Sequence, residues 1–250
     1  MKKLSGKTAL ITGGSSGIGL ATARLFHAQG ARLIITGRDA DSLAQAQQSL
    51  GEDVLAVQSD AGKLDDIERL ANTVKEHFGS LDILFVNAAS AKPTPFESVT
   101  EDQFDEIVAV NFKGVFFLIQ KTLPLLTKGA SVILTTSITN QSATPRFSIY
   151  AACKAAQRSL VQSLGVELIA RGIRVNAISP GPTDTPGLGR CGVPQEIVEA
   201  IRTDLQNRSP LKRFAEPDEI ANAALFLARA ESSYFVGAEL VVDGGFSLLF

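Results

Sequence analysis

Tyr150 and Lys154 stand four residues apart in Ser148-Ile149-Tyr150-Ala151-Ala152-Cys153-Lys154. On a helix that spacing places both side chains on one face. A phenol with an unperturbed pKa near 10 is a poor acid or base at neutral pH, and a neighbouring ammonium moves it toward the working range by favouring the phenolate. The pair alone is weak evidence, because tyrosine and lysine meet at this spacing by chance on solvent-facing helices. Ser137 adds weight. It follows the strand-like run Ser131 to Thr136 and precedes Tyr150 by 13 residues. A hydroxyl there can hold a carbonyl oxygen during reaction, although a serine can also simply end a strand.

A second group of residues points to a phosphate-rich ligand. Thr12-Gly13-Gly14-Ser15-Ser16-Gly17-Ile18-Gly19 follows an apolar run and opens a helical pattern containing Leu20, Ala21, Ala23, Leu25 and Phe26. Glycines permit a tight strand-to-helix turn and let the backbone approach a pyrophosphate, while the helix N-terminus offers amide donors. Gly13, Ser15, Ser16, Gly17, Ile18 and Gly19 are therefore candidate dinucleotide contacts, against the plain reading of a flexible turn. The next strand ends at Thr36-Gly37-Arg38-Asp39, about 20 residues on, where such folds meet the adenosine ribose. An acidic residue there accepts from ribose hydroxyls, whereas arginine pairs with a 2'-phosphate. Arg38 favours NADP(H). Asp39, which can cap the following helix or repel a phosphate, keeps NAD(H) as the alternative.

The elements that must position these residues follow a βαβ rhythm. Strands are expected at Thr8 to Thr12, Arg32 to Thr36, Val54 to Gln58, Ile83 to Val86, Ser131 to Thr136, Arg174 to Ile178 and Glu239 to Val242. Most are continuously apolar, as in a sheet covered on both faces. Helices are expected at Gly17 to Gln29, Ala40 to Leu50, Leu64 to Phe78, Phe104 to Leu126, Tyr150 to Ala170 and Glu216 to Ala230. Gly30 marks a helix stop, Thr100 opens a capping-box sequence, and Pro217 suits a first helical turn. The fold class is α/β: a Rossmann-like, doubly wound parallel sheet with helices on both faces, in one dinucleotide-binding and catalytic domain spanning residues 1–250. Its ligand crevice lies at the carboxyl ends of the strands.

The glycine spacing, Gly-x-x-x-Gly-x-Gly, differs from the Gly-x-Gly-x-x-Gly of many dehydrogenases and resembles the fingerprint of the short-chain dehydrogenase/reductase family. Asn87-Ala88-Ala89, Asn111, Ser137, Tyr150/Lys154 and Pro180-Gly181 follow in that family's order over nearly the whole chain. The resemblance is to 3-oxoacyl reductase-like and carbonyl reductase-like members. It implies hydride transfer between a nicotinamide dinucleotide and a ketone or secondary alcohol, with Ser137 and Tyr150 on the carbonyl oxygen. Lys154 would bind the nicotinamide ribose, and Asn111 would support a water-linked proton path to Lys154. It further implies Asp60 and Ala61 near adenine, Asn87 and Ala88 by the adenosine ribose, and Pro180, Gly181, Thr183 and Thr185 along the nicotinamide carboxamide. Each has a bland alternative: Asp60 as a loop cap, Asn87 as a tie between strands, Asn111 as a buried structural amide. Ala89 departs from the family's usual glycine. The competing functions are an NAD-dependent alcohol or sugar dehydrogenase and a dinucleotide sensor without turnover.

Composition narrows the classes. Hydrophobic residues make up 45% and charged residues 20%, a water-soluble globular balance, and a net charge of −2 without a dense basic run argues against nucleic acid as a partner. No secretory signal is apparent, and no uninterrupted apolar run approaches the roughly 18 residues of a membrane span, so a cytoplasmic protein is expected. Cys153 and Cys191 lack metal-ligand spacing and read as free thiols; no metal is expected. The substrate is read by the loops Asn140 to Phe147 and Pro186 to Pro210, with a mobile lid conceivable over Leu188 to Arg208. Apolar surface at Phe112 to Leu126 and Phe246 to Phe250 calls for covering. The family resemblance implies a homotetramer, with a homodimer as the alternative.

Overall fold

A computed structural model describes residues 2–187, 189 and 195–249. Seven parallel strands form one sheet: β1 (Thr8–Ile11), β2 (Arg32–Gly37), β3 (Leu55–Gln58), β4 (Leu81–Val86), β5 (Leu126–Thr135), β6 (Arg174–Pro180) and β7 (Glu239–Val242). Their spatial order is β3-β2-β1-β4-β5-β6-β7. The order reverses between β1 and β4, and that reversal opens a crevice at the carboxyl ends of the strands.

Alternation along each strand divides the core. Ala9, Ile11, Leu33 and Ile35 face one layer, built with α1 (Gly17–Ala28), α2 (Ala40–Leu50) and α8 (Pro217–Ala228). Leu10 and Ile34 face the other, built with α3 (Leu64–Phe78), α5 (Gly114–Thr122) and α6 (Ser148–Leu168). Continuous apolar strand sequences are thus explained by burial on both faces. Phe26 of α1, fully buried, alone removes enough apolar surface to contribute about 1.5–3 kcal/mol.

One expected helix is not a single element. In place of Phe104 to Leu126, α4 (Glu101–Val108) begins directly after Thr100, whose hydroxyl accepts from the Gln103 amide. The Gln103 side chain does not complete the capping box; it donates to Thr94 Oγ1 at 2.5 Å. A π-helical turn, Ala109–Lys113, then interrupts the run, with Gly114 N donating to the Ala109 carbonyl. The turn brings the start of α5 so close to the loop after β3 that a Cβ on Gly114 would lie 1.9 Å from the Ala61 carbonyl oxygen. Pro124 sits in the short 3-10 turn Leu123–Leu125, and β5 starts at Leu126, five residues before the expected Ser131.

The whole run Glu101–Leu125 has the length and mean hydropathy of a membrane span, although charged residues interrupt its apolar stretches, as expected. Ile107, Val115, Leu118 and Ile119 are nevertheless buried in the protein, which marks it as a core helix. Within the expected lid segment, residues 195–208 form α7 (Gln195–Arg208), a regular helix. Leu188, the 190–194 stretch with Cys191, and Phe250 lie outside the described residues.

Candidate active site

The helix α6 begins at Ser148, so Tyr150 lies in its first turn and Lys154 one turn further along the same face. The Lys154 Nζ stands 5.4 Å from the centre of the Tyr150 ring. Strand β5 runs alongside and ends at Thr135, carrying the chain to Ser137, whose backbone is extended and whose hydroxyl lies near enough to Tyr150 to pull its pKa downward. Ser137 Oγ also accepts from Thr139 N at 3.3 Å, which holds the hydroxyl in the 3-10 turn Ile138–Asn140. Ser137, Tyr150 and Lys154 are therefore brought together.

Burial sets their protonation. Desolvation pushes the Tyr150 phenol up to about 12, against a smaller opposing pull from the Ser137 hydroxyl. Desolvation also pulls the Lys154 ammonium down to about 7. Lys154 is 1% exposed, and its Nζ donates to the Thr135 carbonyl at 2.5 Å and to Gln157 Oε1 at 3.3 Å. At neutral pH the phenol is protonated.

Asn111 occupies the π turn and is fully buried. Its side chain donates to the carbonyls of Ser90 (2.7 Å) and Ile107 (2.9 Å) and accepts from Ser90 N. The side chain thus secures the segment after β4, and the Asn111 backbone carbonyl accepts from Gln157 Nε2 at 2.5 Å. Asn111 reaches Lys154 through Gln157.

Across the crevice, the glycine loop joins β1 to α1. A Cβ on Gly19 would stand 2.0 Å from the Gly13 carbonyl oxygen and 2.7 Å from Asn87 Nδ2, so only glycine fits. Ser16 is the N-cap residue but makes no side-chain capping bond, which leaves the first amides of α1 to an incoming anion. Ser15 packs on Gly37 at the end of β2, and Gly17 lies against Thr185. An open hollow of about 310 Å³ is lined by Thr12, Thr36, Ser59, Ala61, Ala88 and Val110 among others.

Several expected contacts have structural duties as well. The Asn87 amide donates to the carbonyls of Thr12 (3.1 Å) and Gly13 (3.4 Å), and its oxygen accepts from Thr135 Oγ1, tying three strands together. Asp60 accepts from Gly62 N and so closes its own loop. Asp39 caps α2 by accepting from Ser42 N at 2.8 Å, whereas Arg38 lies exposed at the end of β2. Pro180 ends β6; Gly181 N bonds to the Val242 carbonyl, and Thr183 Oγ1 donates to the Gly181 carbonyl.

Three features escaped sequence reasoning. Gln157 is one. Glu239 is another: its carboxylate, on β7, accepts from Thr136, Asn140 and Gln141 side chains at 2.5, 2.7 and 2.9 Å and pairs with Arg158, anchoring the turn after Ser137. An acidic residue heading an otherwise apolar strand was the available signal. The third is the forked pair between Arg202 of α7 and Asp184, at 2.9 and 2.7 Å, which ties α7 to the segment carrying Thr183 and Thr185. Lys92, Thr94, Arg146, Phe147 and Tyr150 line a shallow depression beside the phenol.

Residues 13–247 match the family model described as enoyl-(acyl carrier protein) reductase. The chain is 39% identical over 251 residues to oxidoreductase asL5 of Sarocladium schorii, covering 98% of this chain and 97% of that one. A 3-ketoacyl-(acyl-carrier-protein) reductase from Brucella melitensis, solved with NADH, superposes with a TM-score of 0.89 at 32% identity, over 98% of this chain and 99% of that one. A short-chain dehydrogenase/reductase of the glucose/ribitol dehydrogenase type from the same organism gives 0.88 at 30%, with the same coverage. On near-complete matches in both sequence and architecture, the chain belongs to the short-chain dehydrogenase/reductase family of oxidoreductases.

Proposed function

We propose that this single domain is an NADP(H)-dependent oxidoreductase that interconverts a ketone and a secondary alcohol, with Tyr150 as the acid/base. The observation that carries the reading is the buried Lys154 ammonium standing 5.4 Å from the Tyr150 ring and held to the Thr135 carbonyl, with the Ser137 hydroxyl beside the phenol. Bound nicotinamide supplies or takes up the hydride. In reduction, Ser137 and Tyr150 hold the carbonyl oxygen, and Tyr150 gives it a proton as negative charge develops there. Lys154, with Asn111 behind it, stabilises the phenolate left on Tyr150. The reverse oxidation uses the same groups with Tyr150 as base. A panel of ketones with NADPH, read at 340 nm, tests the assignment, and binding of the dinucleotide without turnover across the panel favours a sensor.

Gly13, Ser15, Ser16, Gly17, Ile18 and Gly19 would hold the pyrophosphate, Asp60, Ala61, Asn87 and Ala88 the adenosine half, and Tyr150 and Lys154 the nicotinamide ribose. Pro180, Gly181, Thr183 and Thr185 would line the carboxamide. The choice of NADP(H) rests on Arg38: Asp39 is turned to the α2 N-terminus, so the carboxylate is occupied while the guanidinium faces solvent at the ribose end. Arg38→Asp is expected to reverse the NADPH/NADH ratio of kcat/KM by about tenfold or more, since a charge-assisted bond contributes roughly 1.5–3 kcal/mol. An unchanged ratio removes Arg38 as the selector and favours the NAD-dependent reading, which the NADH-bound relative makes specific.

The reading extends to a cytoplasmic homotetramer. Phe104 and Phe116 are exposed on α4 and α5, as are Leu248 and Leu249 near the C-terminus, while Phe246 is buried within the protomer. Light scattering after size exclusion is expected to give four times the 26.5 kDa chain mass; twice that mass supports the dimer.

A further inference from the structure

Gln157 lies on α6 three residues beyond Lys154 and is 2% exposed. Both ends of its amide are used. Nε2 donates to the Asn111 carbonyl at 2.5 Å, and Oε1 accepts from Lys154 Nζ at 3.3 Å. The first bond dictates the second, because an inverted amide would set its NH2 against the ammonium and its oxygen against the carbonyl. The Asn111 carbonyl is itself held in place by the π turn and by the side-chain bonds of Asn111 to Ser90 and Ile107. The amide polarity is therefore imposed by the backbone of this turn.

We propose that Gln157 is a positioning residue for proton transfer, transmitting the geometry of the Asn111 turn to Lys154 and keeping that ammonium charged beside Tyr150. An amide holds protons where water relays them, so the role is positional. It rests on the assignment of Tyr150 and Lys154 as the proton-transfer pair.

Gln157 Oε1 accepts from Lys154 Nζ beside the Thr135 carbonyl. Tyr150 and Cys153 face it from the same helix, and Cys153 partly opposes the desolvation of the ammonium. Strand β5 presents the Thr135 carbonyl, and the π turn reaches it through Gln157. Of the charged groups on neighbouring elements, Glu106 of α4 pairs with Lys92, Glu239 of β7 with Arg158, and Arg174 of β6 with the carbonyls of Leu227, Arg229 and Ser232.

The test is the pH profile of NADPH-dependent ketone reduction. The native enzyme is expected to lose kcat/KM as pH rises through about 7, where Lys154 gives up its proton. Tyr150, raised to about 12, stays protonated across that range. Gln157→Leu removes the acceptor, so the limb moves to lower pH by about one unit. Its kcat falls by about 10²-fold as the ammonium loses its place, with KM for the ketone unchanged. Gln157→Glu restores an acceptor, now anionic, and moves the limb to higher pH. Gln157→Met repeats the apolar arm with an unbranched chain should the leucine variant fold poorly. The native limb in the apolar variants, or a shift of the same sign with leucine and with glutamate, overturns the proposal. Tyr150→Phe separates the two levels: if it retains turnover the proton-transfer assignment fails, and if it abolishes turnover while the Gln157 variants behave as native, only the positioning role fails.

Discussion

Replacing Tyr150 by phenylalanine is expected to lower kcat for ketone reduction by about 10²–10⁴-fold, the usual contribution of a placed general acid. The ring remains in its packing against Phe147, at 6.1 Å between centres, so α6 keeps its first turn. What disappears is the hydroxyl that meets Ser137 and the proton it carries. Dinucleotide binding, followed by quenching of NADPH fluorescence, should persist, because the glycine loop lies on other elements. Loss of turnover with binding retained locates the defect in the chemical step. Turnover close to native would show that another group delivers the proton.

The second large effect belongs to the other side of the crevice. In Gly19→Ala the added methyl would sit 2.0 Å from the Gly13 carbonyl oxygen and within 3 Å of Asn87 Nδ2. Neither neighbour is the free end of a flexible side chain: one is backbone, and the other binds Thr12 and Gly13. The turn must open, at a cost of about 1–3 kcal/mol or more. For a chain of this size that lowers Tm by roughly 2–4 °C per kcal/mol. The displaced loop carries the α1 amides with it, so dinucleotide affinity should fall along with stability. Calorimetry and fluorescence titration measure the two separately; unchanged affinity would mean that the pyrophosphate is held elsewhere.

Much of this architecture was legible because its residues are constrained locally. Ala40–Leu50 and Leu64–Phe78 occupy their expected limits, and the Gly13, Gly17 and Gly19 pattern marks a turn that a side chain would block. Tyr150 and Lys154 were readable from helical spacing, and Ser137 only through the family resemblance. The π turn was not legible, because Ala109 to Lys113 has ordinary helical composition and its widening depends on the loop at Ala61 lying against Gly114. Gln157 escaped for a related reason. A glutamine on a helix reads as a solvated residue until the Asn111 carbonyl, 46 positions away, is placed against it. Asp39, which sequence left between capping α2 and repelling a phosphate, accepts from Ser42 N at the α2 N-terminus.

The strand order has a consequence for how the chain reaches this form. Strand β1 lies between β2 and β4, and its pairing of Ala9 with Ile83 must wait until more than 70 residues have been synthesised and brought round. Every strand pair is parallel, so no hairpin can form locally and seed the sheet. Loop closure must precede the contacts that stabilise it, which places folding toward the slow end for a single domain. Until β4 arrives, the apolar edge of β1 is exposed to neighbouring chains, and the yield of native protein is governed by concentration and temperature during synthesis as much as by final stability.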